Sequence, residues 1–291
     1  MAVMKEEQLT WSKLNKKAKE LGLSYARALS LFLFERILLE VSESKLWENL
    51  WLKEEEFQIL AKKKKRIPNE IMYYMPDISY QQISDSVEQL LTDKEYTNVV
   101  WRLDFYDKEL VLDLQVILNQ APVSFKIRIR PVWQRDPYLE KGSYHTMLLP
   151  EQDIYYYKYP LDLDIVECLF YILDRLELIG DMRPYGVIYQ ILQSQTLLGR
   201  HIYQKMKELI ESSTISEPGK RMEIVLGYRS YGYMKKKWNR YVKECGDLDK
   251  KEDSWERVLE LMEECFRPVW QAIDQDEIFI GDWMPQLGRY L

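Results

Sequence analysis

The feature that most limits the fold of this chain is a change of hydrophobic period near Pro160. Before it, "TNVVWRLDF", "ELVLDLQVIL" and "SFKIRIR" alternate apolar and polar residues between Tyr96 and Arg130. A period of two predicts three strands, with Asp107 and Lys108 at one turn and "NQAP" at the next. After it, "LDLDIVECLFYILDRLEL" sets Leu163, Val166, Phe170, Leu173 and Leu176 on one helical face, and "SWERVLELMEECFRPVW" does the same with Trp255, Leu259, Met262, Phe266 and Val269. Strands and helices mix without strict alternation, which predicts an α+β fold: a mixed sheet with flanking helices, then a helical C-terminal half.

Upstream of the strands, Gln8 to Leu21 suits a short amphipathic helix stopped by Gly22. Ser24 is placed to cap a second helix, Tyr25 to Val41, with Ala28, Leu31, Phe32, Ile37 and Leu38 on a broad apolar face. "WENLWL" ends as a strand, "KEEEFQILAKKKKR" reads as a helix that then loops back, and Ile71 to Met75 form a strand ended by Pro76 and Asp77. Ser79 and Gln82 make a capping box for a helix to about Leu91. The expected organisation is an N-terminal helix over 1–23, an α/β core over 24–160 and a helical region over 161–291 packed on that core. No internal repeat or low-complexity linker interrupts it.

With 291 residues, 46% hydrophobic and 30% charged, the composition is that of a globular rather than a disordered chain. The formal charge is −6, so contact with RNA or phosphate must come from a local patch. Three scattered cysteines, Cys168, Cys245 and Cys265, give no disulfide framework and point to a reducing cytoplasm. The N-terminal stretch is charged from Lys5 and has no apolar signal region; "ALSLFLF" is cut off by Glu35 and Arg36, so no membrane span is expected.

Common catalytic patterns are missing. His145 and His201 are the only histidines and no cysteine pair has ligand spacing, which argues against zinc. No P-loop, dinucleotide fingerprint or Gly-x-Ser-x-Gly elbow occurs. In "SFKIRIR", Lys126, Arg128 and Arg130 share one strand face, which is either a phosphate surface or a solvated sheet face. The same choice applies to "KKKKR" and to "YMKKKWNRY", where Tyr233, Trp238 and Tyr241 either stack on bases or belong to the core. Asp113, set between Leu112 and Leu114, is an odd charge for a buried strand.

Together these pieces resemble the AbiEii/AbiGii type of nucleotidyltransferase toxin of bacterial abortive-infection and toxin–antitoxin systems. "KAKELGLSYARALSLFLFERILLEVSESKLWENLWLK" is similar to that family's entry, a helix followed by "FxxERFL" and "SKYKDNFxLK". Where the family continues with Leu-Lys-Gly-Gly, this chain has Leu52, Lys53, Glu54 and Glu55. Its Arg-x-Thr-x-Asp-x-Asp strand aligns with Arg66 to Met72: Arg66 is kept, Pro68 replaces Thr, Glu70 replaces the first Asp and Met72 the second. Asp113, with Pro122 nine positions on, fits the third acidic segment, although Ile117 and Leu118 replace its Gly-Asp. "YPLDLDIVECL" resembles Tyr-Pro-Leu-Glu-…-Ala-Glu-Lys, with Asp162 for Glu and Cys168 for Lys. "DMRPYGVIY" keeps Arg183 but has Gly186 and Tyr189 for two aspartates. The likeness runs from about Lys16 to Trp270, including the Trp-x-x-Tyr of the tail.

The resemblance implies a nucleotidyltransferase-like core and, with so many motifs altered, a pseudoenzyme that binds RNA, a nucleotide or a protein such as a cognate antitoxin or an active paralogue. No intact catalytic set remains; Glu70, Asp113 and Asp162 are vestigial candidates, and Lys53, Arg66 and Arg183 are candidate nucleotide-binding residues. The alternative it implies is an active toxin that moves a nucleoside monophosphate from a triphosphate to RNA such as tRNA. Glu70 and Asp113 would then hold Mg²⁺, with Asp77 or Asp104 standing in for the lost aspartate, and a two-metal clamp needs its carboxylates on adjacent strands. A pair between Arg183 and Asp162 would mark a former nucleotide site. A third expectation is a scaffold working through Trp238, Tyr241 and Trp255, provided they are exposed.

Overall fold

The computed structural model describes residues 11–44, 50–53, 70–76, 99–106, 109–118, 121–132, 140–245, 248 and 252–291. The chain divides into two compact units, Met1–Tyr159 and Pro160–Leu291. The sequence expectations for Lys62 to Arg66 and for the helices over "KEEEFQILAKKKKR" and from Ser79 to Leu91 lie outside the described residues.

In the first unit, α1 (Trp11–Glu20) ends at Gly22, whose φ of +68° is open to a residue without a Cβ. Helix α2 (Tyr25–Glu43) starts after Ser24, which has extended backbone but makes no side-chain cap bond. Its burial goes beyond the expected face: Ala28, Leu31, Ile37 and Leu38 are buried, and so are Glu35 and Glu40. Seven strands follow: β1 (Trp51–Leu52), β2 (Glu70–Pro76), β3 (Val99–Tyr106), β4 (Glu109–Leu118), β5 (Ala121–Val132), β6 (Lys141–His145) and β7 (Asp153–Lys158). They form one mixed sheet in the order β3-β4-β5-β2-β1-β7-β6. The pairs β2 with β5 and β1 with β7 are parallel, and the other four are antiparallel. The β6–β7 hairpin was not anticipated from the sequence.

Register gives the sheet two unlike faces. Leu52, Tyr73, Ile127, Ile129, Tyr144, Ile154 and Tyr156 are buried in one apolar cluster with α2. On β5, Lys126 and Arg128 alternate with those isoleucines and are only half-buried, and Ser124 is exposed. The strand therefore has the alternation of a sheet with one face packed and the other more polar.

The second unit contains α3 (Leu161–Arg175), α4 (Arg183–Ser194), α5 (Gly199–Ser212), α6 (Pro218–Gly227), α7 (Gly232–Cys245) and α8 (Trp255–Asp274), closed by the hairpin β8 (Trp283–Met284) and β9 (Arg289–Tyr290). Trp255, Leu259, Met262, Phe266 and Val269 are all buried, as their spacing predicts. The indoles of Trp238, Trp255 and Trp283 are buried too, and donate to the carbonyl oxygens of Asp253 at 2.8 Å, Tyr228 at 2.9 Å and Leu192 at 2.9 Å. Each buried N–H is thus satisfied within the core. No helix among the described residues is long and apolar enough to cross a membrane.

Candidate functional site

By register, one face of the sheet carries Glu70, Met72, Asp104, Asp113, Lys126 and Arg128. Lys126 on β5 pairs in register with Glu70 on β2 and with Asp113 on β4. Asp113 in turn pairs with Arg102 on β3. A transverse row thus runs Arg102, Asp113, Lys126, Glu70, with charge alternating across four strands. The next row on the same face is Asp104, Val111, Arg128, Met72. Towards β1 this face becomes aromatic: Trp51 and Tyr74 are in register and buried, and Tyr74 stacks on Tyr159 at 3.7 Å between ring centroids.

Glu70 and Asp113 are therefore not on adjacent strands. With strands about 4.8 Å apart, their register positions are separated by roughly 10 Å. Lys126 occupies the position between them. Among the described residues no group of three or more His, Cys, Asp or Glu side chains could hold a metal ion. Lys53 follows β1 directly and is half-buried, whereas Arg66 and Asp77 lie outside the described residues.

The candidates Asp162, Cys168 and Arg183 are in the second unit. Asp162, at the start of α3, is buried; its Oδ2 is 2.8 Å from Nδ1 of His201 on α5, and its Oδ1 accepts from the Leu163 N–H at 3.0 Å. Arg183 instead pairs with Asp181, two residues before it, through its Nε and its backbone N–H. Arg183 and Asp162 thus have different partners, and the pair that would mark a former nucleotide site is not formed between them. One turn further along α5, buried Lys205 lies 3.3 Å from Glu208 and 4.0 Å from Glu167. Cys168, the residue in place of the family's lysine, is buried with its thiol 3.8 Å from Asp164 Oδ1.

Gly186 and Tyr189, where the resemblance implies two aspartates, serve packing. A Cβ on Gly186 would lie 2.3 Å from the Tyr241 hydroxyl, so α4 and α7 approach closely only because the side chain is absent. The Tyr189 hydroxyl donates to Asp253 at 2.8 Å and accepts from Gln193 at 2.7 Å. Burial, followed by the Asp253 hydrogen bond, raises its pKa above the ordinary phenol value. Trp238 and Trp255 are buried and Tyr241 is half-buried, so these aromatics belong to the core, the outcome in which the scaffold role falls away.

No protein-family model matches the chain, and no curated protein matches it. Among solved structures, one similar chain is JHP933 from Helicobacter pylori. The TM-score is 0.47 at 8% sequence identity, with 87% of this chain and 98% of that one covered.

Glu35, which in the sequence only interrupts an apolar run, ties α2 to Tyr144 and the loop after β6. Glu35 is fully buried and accepts from the Tyr144 hydroxyl at 2.8 Å and from the backbone N–H groups of Met147, Leu148 and Leu149 at 2.6, 2.9 and 2.8 Å. Lys17 Nζ donates to the Leu148 carbonyl of the same loop at 2.9 Å. A carboxylate held by four donors in an apolar setting is satisfied rather than reactive. Its only sequence signal is a glutamate that breaks an apolar run.

Proposed function

We propose that this chain is a nucleotidyltransferase-type protein, of the AbiEii kind it resembles, that binds a partner instead of transferring nucleotides. The observation that carries this reading is Lys126, in register between Glu70 and Asp113. On this reading Lys126 stands, by register, between the two acidic positions where a transferase would need its metal ion, a pairing of opposite charges that favours the sheet. Phosphoryl transfer needs metal charge on the transferring group, which a fixed lysine with its own acidic neighbours supplies poorly. Met72, Cys168, Gly186 and Tyr189 are consistent with the same loss, the last three serving as packed core residues. The partner is RNA or a protein in a bacterial defence or toxin–antitoxin setting, with Lys126 and Arg128 on the polar sheet face as its contact.

The test is calorimetric titration of the purified protein with Mg²⁺ or Mn²⁺ and each nucleoside triphosphate, followed by incubation with labelled triphosphate and total tRNA. The reading expects no metal-dependent label in RNA. Label that appears with metal and disappears in Asp113→Ala would overturn it and establish an active toxin.

A further inference from the structure

The last turn of α8 is followed by an arm whose isoleucines, Ile278 and Ile280, are exposed. Asp276 turns the chain with φ of +51°, and residues 277–282 then run without regular structure into β8. The arm is fixed at both ends. The Glu277 N–H donates to the Ala272 carbonyl at 2.8 Å, and Asp282 exchanges two backbone hydrogen bonds of 3.0 Å with Leu291. Phe279 faces inward, edge-on to Tyr290 at 4.7 Å between centroids. The Gly281 carbonyl lies against Gly199, where a Cβ would come within 1.8 Å of it. The arm is thus tied at both ends and packed through Phe279 and Gly281.

Its outward side is apolar, and its middle residues leave backbone groups without hydrogen bonds among the described residues. Ile278 is 84% exposed and Ile280 75%, alternating with Phe279 as a strand requires. Leu291 and Leu198, the neighbours of Asp282 and Gly199, are 68% and 45% exposed. Ile278, Phe279, Ile280 and Gly281 make no backbone hydrogen bond among the described residues. An extended edge with free N–H and C=O groups and large apolar side chains is a template for another strand.

The charge around the arm selects the occupant. Asp274, Asp276, Glu277 and Asp282 flank the two isoleucines, and no basic residue lies between Asp274 and Asp282. Lys207, 3.6 Å from Asp276, offsets one of the four. A second copy pairing antiparallel through Ile278–Gly281 would set Glu277 directly opposite Asp282, like against like, which disfavours the sheet pair. We propose that the arm is a docking edge for an extended segment of a partner protein in which apolar residues alternate with lysine or arginine, added as a β-strand. The arm belongs to the unit Pro160–Leu291, and this role stands apart from the polar sheet face and from whether the chain transfers nucleotides.

The test is fluorescence anisotropy of the full chain with the labelled probe acetyl-Lys-Val-Lys-Ile-Lys-Val-amide. Two isomers of the probe, N-methylated on alternate residues, each block one hydrogen-bonding edge. The proposal expects saturable binding of the probe, weakening by about tenfold or more for one N-methylated isomer and for the exposed variants Glu277→Lys and Ile278→Ser/Ile280→Ser. These variants keep the parent's thermal unfolding midpoint, since the replaced side chains are exposed. Absence of binding, equal binding of both N-methylated isomers, or equal binding by the variants would overturn it. So would a dimer in sedimentation that Ile280→Ser disperses, because a second copy would then be what covers the arm.

Discussion

The Glu35 carboxylate and the Tyr144 hydroxyl meet at 2.8 Å inside the first unit, on residues 109 positions apart. Burial and then the neighbouring charge raise the Tyr144 phenol well above its ordinary value, so it stays a donor throughout the accessible pH range. The same carboxylate gathers three consecutive backbone N–H groups from the loop after β6. Helix α2 and the β6–β7 hairpin are thereby joined by one ion.

Replacing Glu35 with alanine strands four donors in the interior and is expected to cost about 3–5 kcal/mol, against about 1–2 kcal/mol for Tyr144→Phe. Amide hydrogen exchange separates the two variants. Glu35→Ala should speed exchange at Met147, Leu148 and Leu149 together, whereas Tyr144→Phe should leave those three largely protected.

Gly186→Ala pushes a methyl group into the Tyr241 ring and should destabilise the second unit by about 1–3 kcal/mol. Because the obstacle is one side chain, the penalty should shrink in a Tyr241→Ala background. Additive losses in denaturant unfolding of the double variant would show that the contact is not the cause.

Asp162 and Arg183 should behave differently when removed. His201→Ala leaves buried Asp162 with only the Leu163 N–H, and a loss of about 1–3 kcal/mol is expected. Arg183→Ala breaks a half-exposed pair with its near neighbour Asp181 and should cost less than about 1 kcal/mol. Unfolding curves of the two variants, compared at one pH, check the order.

Lys126→Ala removes the cation from between the two acids. Divalent-ion binding should then become measurable by Mn²⁺ titration calorimetry, at a stability cost of about 0.2–1 kcal/mol for each cross-strand pair lost. Unchanged Mn²⁺ affinity would mean that the lysine does not occupy the metal's electrostatic place.

Alkaline pH should loosen the second unit. Burial pushes the Cys265 thiol up to about 12, and it raises the phenols of Tyr185 and Tyr290 above their ordinary value. These groups hold their protons in the folded state and release them on unfolding once pH passes about 9–10. The stability they contribute is complete below that range and falls as pH rises, by about 1.4 kcal/mol per unit for each fully buried group. Unfolding midpoints measured between pH 8 and pH 11 should decline, whereas a flat profile would contradict the burial.

Much of the local structure was legible because its signals are local. The strand "ELVLDLQVIL" is β4 with the same limits, α2 begins at Tyr25 as its cap and periodicity predict, and Gly22 stops α1 with a positive φ. Composition and period also separated a sheet-bearing half from a helical one. The hairpins β6–β7 and β8–β9 escaped notice because their strands are short and their partners, not their residues, make them strands.

Strand order was beyond the sequence. Asp113 and Glu70 could be read as neighbours until β5 proved to lie between β4 and β2 and to bring Lys126 between them. Likewise Glu35 announced itself only as a break in an apolar run, and its role depends on N–H groups 112 to 114 residues away. Period and capping depend on residues a turn or two apart, so one dimension carries them. Register, the partners of buried charges and the exposure of the Ile278–Ile280 arm depend on which distant segments meet, and that is decided by burial and hydrogen bonding over the whole chain.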